Sequence, residues 1–596
     1  MPYLPNLMEG STSRQMIEVF AGYNHNLKIN QGEWYNEENI SSARYPLFSR
    51  RKPRRLFKDQ LINPQGMTAK DALAYVDGSK LIYNGKEIDG IELSEAPEDC
   101  PKQLVSMGAY LCVFPDAVYV NTADLSDVGT MGAVYESVAD ANIRYSPCRI
   151  DGTDYENVYI ADEKPDNPEN GQYWLDTSGS THMLKQYSAS TGAWIEIPTV
   201  YTRIEVAGIG THFKDYDGVT ISGAAIESDN EDLKKQIAAL NTDMIIQKSS
   251  TDYIIVTALI DETVMQQGGS IKVERKVPRM DFVCEANNRL WGCYYGMSDG
   301  KVLNEIYSCK LGDFKNWYSY MGISTDSYAV SIGTDGEWTG CIAYGGYPVF
   351  FKENFIHKIY GMQPSAYQVQ SASCRGVQRG SHRSMVVVNE VLYYKSRTDV
   401  CAYDGSLPVG VSAQLGEDRK FYEASAGAHG GRYYISMRDE DGAWNLFCYD
   451  TKYSIWHRED ASHAGAFAAW DDALYMMDVD KKQIWDINGS SGETEEEEVR
   501  WMAESGLIGY ELIDHKYISR FNFRMKMAVG SECRLEIEYD SDGIWHDQGV
   551  VKSVSTDSFI LPVIPRRCDH FRLRLSGVGE IYIYSMAKHI EQGSDA

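Results

Sequence analysis

The stretch NEVLYYKSRTDVCAYDG, residues 389–405, decides the fold, because it joins a polar turn to two short strands rich in aromatic and apolar residues. The same pattern returns further along the chain as GGRYYI (430–435) and DDALYM (471–476). Leu392, Tyr433 and Leu474 are equivalent in the three copies, and each is 41 residues from the next. A period of roughly 40 to 50 residues is typical of β-propeller blades. The spacing therefore predicts a propeller.

Further copies of the pattern lie on the N-terminal side of this stretch. They are LAYVDGSKLIYNG (73–85), LVSMGAYLCVFPDAVYVNT (104–122), NNRLWGCYY (287–295) and YPVFFKENFIHKIYG (347–361). The 41 Tyr and 51 Gly residues of the chain favour strands and turns over helices. We expect an all-β protein: a six- or seven-bladed β-propeller with inserted small β domains and a C-terminal β-sandwich.

Breaks in the pattern divide the chain into domains. Residues 123–270 interrupt the blades, and the acidic run ETEEEE (493–498) marks a boundary after the last blade. The predicted order is an extended N-terminal arm (1–60), the first blade or blades (61–122), inserted β domains (123–270), further blades (271–490) and a C-terminal β-sandwich closing the propeller (499–596). Within the insertion we expect a small aromatic module (159–198) and a β-barrel or sandwich with a short helix (199–270).

Composition restricts the compartment and the class of partner. The 12 cysteines are scattered singly without a CxxC pair, which indicates free thiols in a reducing cytoplasm. We expect neither a signal peptide nor a membrane span. The formal net charge of −28 argues against an ordinary nucleic-acid binder, because phosphate binding relies on lysines and arginines. Such a charge suits either a surface that must not hold DNA or simple solubility.

Motifs for catalysis and for metal binding are missing from the sequence. It contains no Walker loop, HExxH, GxSxG or dinucleotide fingerprint. The 12 histidines are dispersed, and acidic loops such as YDSDG (539–543) lack the further ligands of a calcium loop. We therefore predict no enzymatic activity, no catalytic or metal-binding residues and no cofactor. A propeller glycosidase, which needs two facing carboxylates, is the weakest alternative.

Two clusters of positive charge stand out in this acidic chain. The first precedes residue 60 and contains prolines, so it suits an extended clasp on an acidic neighbouring surface. The second lies in PRRCDHFRLRL, residues 565–575. The predicted subunit or partner interface consists of Arg44, Arg50, Arg51, Lys52, Arg54, Arg55, Arg566 and Arg567. Contact with DNA is the alternative for the first cluster.

The aromatic module offers a different candidate site. Trp174, Tyr187 and Trp194 lie close together in the segment 159–198. If the three rings were exposed in a row, they could stack on sugar rings. In so small a module they could equally form its core.

Several segments resemble the propeller-bearing tail proteins of tailed bacteriophages, which include tail accessory or stabilisation proteins and tail nozzle proteins. The resemblance rests on GEWYNEENISSARYPLFSRRKPR (32–54), LVSMGAYLCVFPD (104–116), NNRLWG (287–292), ENFIHKIYG (353–361) and PRRCDHFRLRLSG (565–577). These segments span nearly the whole chain.

The resemblance implies a structural protein of the virion tail, assembled in the bacterial cytoplasm. Similarity to nozzle proteins implies a ring of six copies that extends the head-to-tail DNA channel. Implied partners are the connector or adaptor and the tail fibres, with DNA passing through without specific binding and no membrane insertion. A receptor-binding protein or adhesin that recognises cell-surface glycan is the alternative.

Overall fold

The computed structural model describes residues 12–95, 101–298, 300–489, 494–509, 516–552, 557–563 and 566–592. The described residues are all-β apart from one α-helix, Glu231–Ala238, and five short 3₁₀ turns. The turns are Ser42–Arg44, Ile209–His212, Pro364–Ala366, His382–Ser384 and Ala413–Leu415. Residues 1–11 of the expected arm and 593–596 of the expected sandwich lie outside the described residues.

Seven antiparallel meander sheets form the largest part of the described chain. Sheet 1 contains Pro64–Ala69, Leu73–Asp77, Lys80–Tyr83 and Lys86–Glu87. Sheet 2 contains Gln103–Met107, Tyr110–Phe114, Val118–Asn121 and Asp124–Thr130. Sheet 3 contains Phe282–Ala286, Arg289–Ser298, Lys301–Ser308 and Tyr328–Ser331. Sheet 4 contains Gly340–Tyr344, Tyr347–Lys352, Phe355–Tyr360 and Gln368–Ser373.

The remaining meander sheets follow directly along the chain. Sheet 5 contains Val386–Val388, Val391–Lys395, Val400–Tyr403 and Val409–Gly410. Sheet 6 contains Phe421–His429, Arg432–Asp439, Trp444–Asp450 and Ile455–Asp460. Sheet 7 contains Ala464–Trp470, Ala473–Asp478 and Gln483–Asp486, and is completed by Arg55–Lys58 and Thr494–Glu495.

Local turn chemistry explains the start of sheets 3 to 7. Two residues join the first and second strands of each sheet, and both have left-handed φ values of 47–80°. This backbone is that of a type I′ turn, which favours Asn, Asp and Gly. The turn pairs are Asn287–Asn288, Gly345–Gly346, Asn389–Glu390, Gly430–Gly431 and Asp471–Asp472. The polar turns that revealed the repeat are therefore its hairpin tips.

Contacts between first strands link the sheets in sequence. They join sheets 1, 2, 3 and 4, then sheets 5, 6 and 7, and finally sheet 7 to sheet 1. A shared core that includes Val349 and Leu392 joins sheets 4 and 5. The chain of contacts thus runs from sheet 7 back to sheet 1.

A separate sheet and a small module occupy the expected insertion. The sheet has eight strands: Ala133–Glu136, Asn142–Cys148, Tyr201–Glu205, Gly218–Ser222, Asp243–Ser250, Tyr253–Thr257, Val264–Gln267 and Lys272–Arg275. We call it the inserted sheet, and Leu233 and Ile237 of the α-helix pack in its core. The aromatic module is a four-stranded sheet between two of these strands: Tyr159–Ala161, Tyr173–Asp176, Met183–Ser188 and Ala193–Glu196.

Both ends of the chain build a pair of sheets around one core. One sheet contains Thr12–Ile17, Phe48–Ser49, Lys516–Met527, Asp557–Pro562 and Ile581–Gln592. The other contains Gly22–Tyr23, Glu33–Glu38, Arg500–Ser505, Glu532–Tyr539, His546–Lys552 and Phe571–Val578. Their apolar faces share a core that includes Trp34, Phe48 and Trp501.

The described part of the N-terminal segment is therefore not a free arm. Its strands pair with C-terminal strands, as Thr12 does with Glu591 and Trp34 with Ser505. The strand that completes sheet 7 comes from this N-terminal segment and not, as the sequence predicts, from the C-terminal sandwich: Arg55–Lys58 pairs with Gln483–Asp486, with Leu56 opposite Trp485. Because this strand directly precedes sheet 1, backbone hydrogen bonds tie the two ends of the meander series together.

Candidate functional site

The predicted basic clasp is built around two buried arginines. Arg51 and Arg54 have only 5% and 3% of their side chains exposed. Arg54 Nη2 lies 2.8 Å from Glu459 Oε2, and its Nη1 lies 2.8 Å from Asp460 Oδ2. Arg51 Nη1 lies 2.8 Å from Glu496 Oε2. The two guanidinium groups are thus compensated by carboxylates of the same chain.

This ion-pair cluster corrects the interface prediction for Arg51 and Arg54. Burial alone would raise the pKa of the Asp460 carboxyl, but Arg54 and Arg51 hold it well below its ordinary value. A neighbouring molecule cannot reach groups that are buried and already paired. The two arginines instead fasten the N-terminal segment to the end of sheet 6.

The other residues of the basic N-terminal cluster lie nearer the surface. Arg44 is exposed, with its guanidinium 6.0 Å from the centre of the Tyr582 ring. Arg50 is half-buried, and desolvation lowers its pKa. Arg55 lies 3.8 Å from Glu495, and Lys52 is exposed. For these four residues the interface stays a prediction.

The C-terminal basic cluster is also partly paired. Arg566 is exposed, and its Nη1 lies 3.5 Å from Asp542 Oδ2 and 3.0 Å from His546 Nε2. Arg567 is exposed. Their role at an interface stays a prediction as well.

The aromatic module brings its three predicted rings together. Trp174 is 7% exposed, and its Nε1 donates a 3.0 Å hydrogen bond to the carbonyl of Ala161. The ring centre of Trp194 lies 5.4 Å from that of Trp174 and 5.3 Å from that of Tyr187. Trp174 therefore belongs to the core of the module, whereas Tyr187 and Trp194 remain half-exposed. Glycan stacking on these rings stays a prediction.

Sequence reasoning missed the segment that lies where the first strands converge. We call residues 380–385 the central segment. Arg383 Nη1 donates a 2.7 Å hydrogen bond to the carbonyl of Gly465, at the start of sheet 7. Its Nη2 donates to the carbonyls of Gln65 in sheet 1 and Lys102 beside sheet 2, at 2.8 and 2.9 Å. A single guanidinium thus bridges three sheets.

Polar groups of the central segment bind two further sheets. The Ser381 hydroxyl accepts a 3.0 Å hydrogen bond from the backbone N–H of Ala424 in sheet 6. The Ser384 hydroxyl accepts a 2.9 Å hydrogen bond from the N–H of Lys395 in sheet 5. Buried N–H groups need such partners, so these serines also fix the position of the segment.

The central segment also contacts sheets 3 and 4, here through side-chain packing. The His382 ring lies 5.1 Å from that of Phe282 in sheet 3, and burial lowers the pKa of this histidine to about 3. A Cβ atom at Gly340 of sheet 4 would lie only 2.6 Å from the Met385 methyl group, so glycine allows the close approach. The central segment therefore contacts all seven meander sheets. It contains no short motif that would have revealed this role.

Within the described ranges, no group of three or more His, Cys, Asp or Glu side chains is arranged to hold a metal ion. No helix among the described residues is long and apolar enough to cross a membrane.

Comparison with known proteins provides no family for this chain. No protein-family model and no curated protein matches it. An exo-β-1,3-galactanase from Phanerochaete chrysosporium shares 8% identity over 51% of this chain and 95% of its own, with a TM-score of 0.20. The computationally designed Ika8 protein shares 10% sequence identity over 73% of this chain and 99% of its own, with a TM-score of 0.29.

A third similar structure is the extracellular domain of a one-component system from B. thetaiotaomicron. It shares 9% identity over 94% of this chain and 98% of its own, with a TM-score of 0.23. TM-scores this low carry no argument about function, so the absence of enzymatic activity stays a prediction.

Proposed function

We propose that this chain is a structural protein of a tailed-bacteriophage virion, a hub or nozzle-type component of the tail. In this role, copies of the chain form a ring, six in number, that extends the head-to-tail DNA channel and anchors fibres or adjoining tail proteins. The five resembling segments between residues 32 and 577 support this assignment. The net charge of −28 suits a channel wall from which DNA is repelled and along which it slides.

As part of this proposal, the seven meander sheets are the blades of a seven-bladed β-propeller. Contacts that return from sheet 7 to sheet 1 support a closed arrangement. The strand Arg55–Lys58 then acts as the outer strand of the last blade. In a closed propeller each blade packs between two other blades, and only short strand edges remain exposed to pair with other chains.

The observation that carries the structural role is the central segment. It crosses the convergence of the first strands beside a cavity of about 380 Å³. Its guanidinium engages three sheets, and its imidazole and hydroxyls engage others. A glycosidase would need two carboxylates flanking its substrate there. A centre whose sheets are joined by these hydrogen bonds suits a rigid scaffold whose outer surfaces make the contacts. DNA would then pass between copies, outside each propeller.

Electron cryomicroscopy of the purified full-length protein and of virions that contain it tests this proposal. We expect a closed ring of about six copies around a channel lined by carboxylates. Single copies at micromolar concentration, together with absence from the virion, would refute the ring. A neutral or basic channel wall would refute the proposed role of the charge.

The alternative is a receptor-binding protein that recognises cell-surface glycan. The half-exposed rings of Tyr187 and Trp194 favour it, because exposed aromatic rings can stack on sugars. A Trp194→Ala variant that adsorbs to cells as well as the unaltered protein would count against it. Trp174 is unsuitable for this test, because its burial makes it part of the module's core.

A further inference from the structure

The inserted sheet is fastened to sheet 3 by a buried polar network. The Asp217 carboxylate is 3% exposed and pairs with the guanidinium of Arg275. The Nδ2 group of Asn316 donates a 2.8 Å hydrogen bond to Asp217, and its Oδ1 accepts one of 3.0 Å from the N–H of Gly218. Arg275 also donates to the carbonyl of Met131. A fully satisfied network of this kind holds its two sides in a fixed relation.

A cleft of about 960 Å³ opens beside this joint. Its walls come from sheet 2, from the inserted sheet and from the turn at residues 312–315 of sheet 3. Ligand pockets usually enclose about 300 to 1,000 Å³. The cleft therefore has the size of a binding site. The buried network beside it holds the inserted sheet against sheet 3, so the walls of the cleft are in place without a ligand.

Three lysines line the cleft without a carboxylate partner. Lys214, Lys276 and Lys315 face it, and no carboxylate among the described residues lies within 4.0 Å of their ammonium groups. The ammonium of Lys315 donates a 2.8 Å hydrogen bond to the hydroxyl of Tyr119 and lies 4.1 Å from the centre of that ring. The three lysines of this cleft can therefore each bind a negative group of a ligand.

Carboxylates in the same cleft narrow the class of anion. Four carboxylates also line it, those of Asp116, Asp217, Glu274 and Asp313. Asp116 is paired with Lys102 and Asp217 with Arg275, which leaves Glu274 and Asp313 as the acceptors that a ligand could use. Glu274 lies 3.2 Å from Lys272, and Asp313 accepts a 2.6 Å hydrogen bond from Asn316. These oxygens would repel a uniform polyanion such as DNA or polyglutamate, but they can accept hydrogen bonds from hydroxyl groups. The lining suits a ligand that carries both hydroxyls and separated negative charges.

We infer that this cleft binds a polyhydroxylated anion, an acidic saccharide or polyol chain. Its carboxylate or phosphate groups pair with Lys214, Lys276 and Lys315, and its hydroxyls donate to Glu274 and Asp313. The inference does not depend on a place in the virion tail, since the cleft lies within one copy of the chain. It is also separate from the aromatic module.

Isothermal titration of the full-length protein tests the inference with four probes of similar length. Tetragalacturonate supplies carboxylates, a glycerol-phosphate oligomer supplies phosphates, maltotetraose is neutral, and oligoglutamate is anionic without hydroxyls. We expect binding of one or both of the first two, and the stronger one identifies the charged group. Equal binding of maltotetraose or of oligoglutamate would overturn the inference. So would the absence of binding by both acidic probes at concentrations on the order of 1 mM.

Charge-matched variants locate the site. In Lys214→Ala/Lys276→Ala we expect binding to weaken by about tenfold or more, because two charge-assisted contacts are lost. Lys234→Ala/Lys235→Ala removes the same charge from the helix of the inserted sheet, outside the cleft, and should leave binding unchanged. Lys214 and Lys276 are exposed, so their removal should not disturb folding. An equal loss in both double variants would show a general charge effect and overturn the site.

Discussion

The Nη2 group of Arg383 donates a 2.9 Å hydrogen bond to the carbonyl oxygen of Lys102, which lies 281 residues earlier in the chain. The same nitrogen serves the carbonyl of Gln65, and Nη1 serves that of Gly465. Carbonyls in or beside three separate sheets thus converge on one half-buried cation. A guanidinium suits this position because it is planar and offers several donors in fixed directions.

Replacing Arg383 should weaken the meander sheets as a unit. In Arg383→Met the three carbonyls lose their shared donor while much of the side-chain volume is kept. We expect the free energy of unfolding to fall by about 2 kcal/mol, the scale for hydrogen bonds to a charged group at a half-buried site. Urea unfolding followed by tryptophan fluorescence measures this change.

Arg379 provides the matched control for that variant. Its side chain is 79% exposed and lies 3.3 Å from Glu337. Arg379→Met should change the free energy of unfolding by no more than about 0.5 kcal/mol, as is usual for surface ion pairs. If both variants unfold at the same urea concentration, Arg383 does not hold the sheets together.

The ion-pair cluster at Arg54 provides a second stability test. Arg54→Met leaves Glu459 and Asp460 buried beside a neutral side chain, and removal of one partner of a buried pair costs about 3 to 5 kcal/mol. We expect a corresponding fall in the urea midpoint. Lys52→Met, at an exposed position two residues earlier, should leave the midpoint unchanged. Equal midpoints in the two variants would mean that the cluster contributes nothing to stability.

Self-association should depend on basic residues that remain at the surface. Arg44→Ala/Lys52→Ala removes two exposed charges and should lower the fraction of the chain that assembles into the proposed ring, without changing the unfolding midpoint. Sedimentation velocity at two salt concentrations measures the assembled fraction. Lys80→Ala/Lys86→Ala, at exposed positions in sheet 1, is the control. An assembled fraction that neither variant changes would exclude Arg44 and Lys52 from the interface.

The regular parts of the fold could be predicted because their signals are local. Leu392, Tyr433 and Leu474 stand at the same place after a two-residue turn, and all three are completely buried. A type I′ turn needs particular residues, and a strand between two packed sheets needs apolar side chains. The turn residues and the apolar strand residue lie within a few positions of each other, so each copy of the pattern, and with it the 41-residue spacing, could be recognised from the sequence.

The pairing of the basic segment could not be predicted, because it depends on contacts between distant positions. Arg51, Lys52 and Arg54 form one charge cluster in the sequence, but the first and last are buried whereas Lys52 is exposed. Glu459, the partner of Arg54, lies 405 residues away. The charge pattern of the sequence therefore indicated a surface patch, whereas in the fold Arg51 and Arg54 form a buried ion-pair cluster.

Stability should fall with decreasing pH because two histidines, the buried His357 and the half-buried His382, resist protonation. Burial lowers the pKa of His382 to about 3, and burial with the nearby charge of Lys352 lowers that of His357 to about 4. In the unfolded chain both return to about 6.5, so below this pH the unfolded state binds more protons. Each histidine then lowers the free energy of unfolding by about 1.4 kcal/mol for each unit that the pH falls, until the pH reaches the pKa of that histidine in the folded state.

A histidine variant isolates this contribution from the titration of carboxylates. His357 Nδ1 lies 2.7 Å from the Ser371 hydroxyl, and His357→Gln keeps a polar side chain there without a group that titrates. Between pH 6 and pH 4.5 the free energy of unfolding should fall less steeply in the variant than in the unaltered protein. The two slopes should differ by up to about 1.4 kcal/mol per pH unit, the contribution of one proton. Urea midpoints across this range measure the slope, which is independent of any constant loss of stability caused by the substitution. Parallel slopes would show that His357 is protonated equally in the folded and unfolded states.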